Sequence, residues 1–90
     1  MFARTLTIER IDAAGDAHLC PIRQLDSFAM RNFTNDAIFD DTMPVAEGRL
    51  EAGSRVPVDR LTAAMQDWFR RKGYLAPGET LRITEAVQSR

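Results

Sequence analysis

Asp16, His18 and Cys20 alternate along the chain, so on a strand all three would project from one face. A thiolate beside an imidazole, with a carboxylate behind it, is the chemistry of a cysteine nucleophile. The spacing argues against it. Side chains at i and i+2 of a strand stand about 7 Å apart, beyond direct hydrogen-bond reach. Cys20 is the only cysteine and reads more simply as a small buried apolar residue. A single cysteine also excludes an intrachain disulfide and a cysteine-based zinc cage. As metal ligands the three residues lack a fourth partner and the spacing of a zinc site.

Asp36, Asp40 and Asp41 suggest calcium only weakly, because the acid–Gly–Glu pattern of an EF-hand loop is missing. A solvated acidic loop accounts for them. The five glycines are scattered, and none belongs to a phosphate-cradling loop. No serine sits in a nucleophile-elbow context, and no carboxylate pair is isolated on an apolar strand. The expectation is therefore a protein that is not an enzyme, with no catalytic residue, cofactor or metal. His18 and Cys20 remain the pair that an enzyme, or a subunit completing another chain's site, would use.

Arg70-Arg71-Lys72, with Arg60 and Arg82 as candidate neighbours, has the charge to touch phosphate. Trp68, Phe69 and Tyr74 interleave with it, as stacking on bases would require. Helical spacing places Trp68 and Phe69 on the core stripe instead, and basic residues suit the negative end of a helix. The net charge of −1 over 90 residues excludes a globally basic nucleic-acid binder.

The charge is segregated. Residues 36–54 hold five acids (Asp36, Asp40, Asp41, Glu47, Glu51) against Arg49, whereas residues 55–90 hold seven bases against four acids. Lys72 is the only lysine among twelve basic residues, which reads as the codon bias of a GC-rich bacterial or phage genome. The opening Met-Phe-Ala-Arg-Thr lacks the apolar run of a secretory signal, and no stretch approaches membrane-spanning length. The expected address is the reducing cytoplasm, with no membrane partner.

The elements that must carry these residues come from periodicity. Thr5-Leu6-Thr7-Ile8-Glu9 and Thr80-Leu81-Arg82-Ile83-Thr84-Glu85 read almost alike, each alternating apolar and polar side chains. They predict a first strand over 2–11, with Phe2, Leu6 and Ile8 on one face, and a last strand with Leu81, Ile83 and Val87 together. Residues 12–16 form a turn, Gly15 supplying a left-handed position, and 17–22 return as a hairpin partner. Asp26 or Ser27 caps a short helix to about residue 32 or 33, with Leu25, Phe28, Ala29 and Phe33 inward. Ile38-Phe39 reads as a brief strand or an apolar plug. Val45–Leu50 and Arg55–Val58 read either as a hairpin around residues 51–54 or as a loop, and Pro57 leaves the second limb at an edge or leading into the next helix.

A longer helix begins near Pro57 or Asp59, with Val58, Leu61, Met65, Trp68 and Phe69 on one stripe. Asp67 and Arg71 form an i, i+4 pair, Gly73 ends the helix, and Pro77-Gly78 suits a type II turn. The expected fold is α+β: one small two-layer domain over 1–90, an antiparallel sheet of three to five strands with two helices packed on one face. The leading functional expectation is a protein-binding accessory, inhibitor or adaptor of phage or mobile-element type. It would act through a sheet edge and the acidic residues Asp36, Asp40, Asp41, Glu47 and Glu51. The expected partner is a protein with a basic surface, or a second copy of the chain. The alternative is a nucleic-acid-associated regulator using Arg70, Arg71 and Lys72.

Overall fold

The computed structural model describes residues 2–32, 45–52 and 57–89. They form β1 (Phe2–Ile11), β2 (Ala17–Leu19), α1 (Ile22–Asn32), β3 (Val45–Ala46), β4 (Arg49–Ala52), α2 (Val58–Arg71) and β5 (Thr80–Ser89). The architecture is the expected one: a five-stranded antiparallel sheet with two helices. The similar strands at the two ends of the chain are neighbours, paired over ten residues from Phe2↔Ser89 to Ile11↔Thr80. Their matched alternation puts Leu6, Ile8, Leu81 and Ile83 on one face, where both helices cover them. Thr5, Thr7, Glu9, Arg82 and Thr84 occupy the other, open face.

Setting β2 aside, the chain runs β-α-β-β-α-β with spatial order β5-β1-β4-β3. This is the split βαβ arrangement: each helix links two parallel strands across an antiparallel one. Such an arrangement carries no function by itself. β2 and β4 share the remaining edge of β1 end to end. Their junction is Ile8, whose N–H donates to Gly48 C=O (3.2 Å) and whose C=O accepts from Cys20 N–H (3.2 Å).

The junction depends on a tight turn that sequence reasoning misplaced. The β3–β4 hairpin turns at Glu47-Gly48, not around 51–54, and Glu51 lies within β4. Both turn residues have positive φ, 52° and 78°, as a two-residue turn of type I′ requires. Gly48 suits this backbone and also the space. A methyl there would come within 3.2 Å of Leu19 Cβ and Cδ2 and 3.3 Å of the Cys20 carbonyl oxygen. Gly48→Ala should therefore destabilise by about 1–3 kcal/mol. Glu47→Asn should stabilise by about 0.5–1 kcal/mol, because Asn tolerates a left-handed backbone better than Glu. Urea midpoints of the two variants check both signs, and equal midpoints would contradict the turn assignment. Of the two expected roles for the second limb, leading into the helix is the one seen at its end, since Val58 opens α2; residues 53–56 lie outside the described residues.

β2 is shorter than the expected 17–22, and α1 starts at Ile22 rather than at Asp26 or Ser27. Pro21 explains both. It has no N–H for a strand ladder, while its carbonyl accepts from Gln24 and Leu25 N–H (3.1 and 3.3 Å) and opens the helix. Leu25 and Phe28 point inward as expected. The Ala29 side chain, Phe33 and Ile38-Phe39 lie outside what the structure describes.

α2 follows its periodicity closely. Leu61, Met65, Trp68 and Phe69 are buried, and Val58 packs against them. Its end is a Schellman motif: Gly73 (φ 81°) donates to Arg70 C=O, and Tyr74 N–H donates to Phe69 C=O at 2.8 Å. Tyr74 then packs back on Trp68 and Phe69, with ring centroids 5.7 and 5.6 Å away. Pro77-Gly78 forms the expected turn, closed by Glu79 N–H to Ala76 C=O (3.0 Å), with Gly78 at φ 85°. No helix among the described residues is long and apolar enough to cross a membrane.

Candidate functional site

The three residues that invited nucleophilic chemistry do not come together. β2 ends at Leu19, and Cys20 turns into the hydrophobic core. Burial pushes its thiol up to about 11, so thiolate is scarce near neutral pH. His18 is exposed and bonds to Asp12, not to Asp16 or Cys20. Its Nε2–H donates to Asp12 Oδ2 at 2.8 Å, since a carboxylate only accepts.

Asp12 is the residue that sequence reasoning passed over. Its Oδ1 accepts from Ala14 N–H (3.0 Å) and Asp16 N–H (2.9 Å), an Asx-type closure of the β1–β2 turn. Gly15 at φ 92° completes that turn, as expected. The His18 hydrogen bond, and after it the Asp16 amide, hold the Asp12 carboxyl below its ordinary range. The Asp-x-x-Gly-Asp spacing was a legible signal for this turn. Asp12–His18 braces the hairpin through bonds made within the turn.

The basic corner is likewise committed to internal partners. Arg70 Nη2 donates to Glu79 C=O (2.9 Å), and Arg71 Nε donates to Asp67 Oδ2 (3.0 Å). Lys72 Nζ lies 5.9 Å above the Trp68 ring, a cation–π contact. Trp68 and Phe69 are 7% and 1% exposed, so neither presents a face for a base to stack on. Tyr74, at 38%, is the exposed aromatic of the group. Arg82 does not join the corner. It projects from the open sheet face, donating through Nε and Nη2 to Glu9 Oε1 (3.1 and 2.9 Å). Arg10 and Glu79 form a further ion pair, and Glu79 Oε1 accepts from Ala76 N–H. These pairs tie the start of β5 to the ends of β1 and α2.

Of the acidic set, Glu47 and Glu51 are brought onto one hairpin. Glu47 is exposed at the turn, and Glu51 is exposed on the open face opposite Thr5. Arg49 stands between them on the same strand face and moderates the local charge. Asp36, Asp40 and Asp41 lie outside the described residues. Among the described residues no group of three or more His, Cys, Asp or Glu is placed to hold a metal ion.

The feature that sequence reasoning named without locating is the sheet edge. β5 has one strand neighbour, β1, among the described residues. Because Ile8 directs both backbone groups toward β2 and β4, the odd residues of β1 bond to the even residues of β5. The backbone groups of Leu81, Ile83, Glu85 and Val87 therefore point outward. Gln66 Oε1 accepts the Leu81 N–H at 3.0 Å and so covers the start of the edge. From Thr80 to Ser89 there is no Pro or Lys, and the charged residues on the strand are Arg82 and Glu85. Comparison with protein-family models, curated proteins and solved structures finds no match to this chain.

Proposed function

We propose that this protein is a non-enzymatic binding module, an accessory, inhibitor or adaptor that acts by covering a partner protein's surface. The observation that carries the reading is the ten-residue β5 strand, which among the described residues has one strand neighbour, β1. Such an edge accepts an added strand through main-chain hydrogen bonds, while side chains nearby set the choice of partner. Glu47 and Glu51 supply acidic side chains for a partner with a basic surface. The lone thiol, buried and unpaired, suits action in the reducing cytoplasm.

The nucleic-acid reading is the weaker of the two. Arg70, Arg71 and Lys72 already have internal partners, and the adjoining Trp68 and Phe69 rings are buried. Affinity capture from a lysate of the native host tests the proposal, using wild type, the Glu47→Lys/Glu51→Lys double variant and His18→Ala. We expect a specific protein held by wild type and by His18→Ala and lost with the charge reversal. Loss with His18→Ala alone, or no specific protein at all, would overturn the reading.

A further inference from the structure

We draw no further inference here: the strongest candidate, the sheet face opposite the helices with Thr7, Glu9, Arg49, Glu51, Arg82 and Thr84, carries none, because its arginines and glutamates balance, Arg82 is already bonded to Glu9, and nothing in the structure shows what covers it.

Discussion

Phe28→Ala is expected to remove about 3–5 kcal/mol of stability. Phe28 is fully buried on α1, and its ring meets two rings of α2 edge-on: Trp68 at 5.4 Å and Phe69 at 6.1 Å between centroids. Deleting it forfeits the transfer energy of a whole aromatic side chain, leaves a cavity, and cuts the aromatic contacts between the helices. A domain of this length holds only about 5–15 kcal/mol in total, so the variant would retain a fraction of its stability. Urea unfolding should show the midpoint falling steeply, and the melting temperature should drop by roughly 10 °C or more. Phe28→Leu, which keeps most of the volume, should recover much of the loss. A Phe28→Ala midpoint within about 1 kcal/mol of wild type would mean that α1 is not docked on α2 through this ring.

Native Cys20 is expected to alkylate at least about a hundredfold more slowly at pH 8 than the same thiol in the urea-unfolded chain. The reason is thiolate supply. An ordinary thiol at 9.0 is about one-tenth ionised at that pH, whereas burial raises Cys20 to about 11, leaving about one-thousandth. Restricted access slows the native reaction further. The sign for stability follows from the same shift. The folded chain holds the thiol proton more tightly than the unfolded chain does, so this contribution is complete below about pH 9. It is lost as pH rises from 9.0 toward about 11. Mass spectrometry of iodoacetamide-treated samples measures the rates directly. Fast native labelling near neutral pH would return His18 and Cys20 to consideration as a reactive pair.

Local features were legible because they depend on neighbours in sequence. The stripe Leu61, Met65, Trp68, Phe69 and the Gly73 stop are consequences of helical geometry over a few turns, and they appear where expected. The Pro77-Gly78 turn and the left-handed Gly15 follow from backbone sterics of single residues. The β3–β4 hairpin was misread because Glu47 occupies a backbone region that β-turn chemistry normally assigns to Asn, Asp or Gly, so Gly53 drew the turn instead. The start of α1 was misread for a related reason. Asp26 and Ser27 carry the side chains of good caps, whereas the helix begins on the Pro21 carbonyl, which no side-chain pattern marks.

The candidate site was less legible than the fold. Glu47 and Glu51 were named from charge alone, and the hairpin that unites them also interposes Arg49. Asp12–His18 joins residues six apart through a turn whose path had to be known first. The basic triplet looked available because sequence shows charges but not the Glu79 carbonyl, the Asp67 carboxylate or the Trp68 ring that engage them.

By itself the sequence determined which residues form each major strand and helix and which side of each is apolar, because a period of two or of 3.6 residues is a local property of the backbone. Only the tertiary structure decided that the two similar strands pair with each other and that β2 and β4 meet at Ile8. It also decided that, among the described residues, β5 takes β1 as its strand neighbour. Strand pairing joins residues as far apart as Phe2 and Ser89, and the direction of a backbone hydrogen bond leaves no mark on side-chain pattern. Which groups stay available to a partner is settled only once every strand has taken its neighbours.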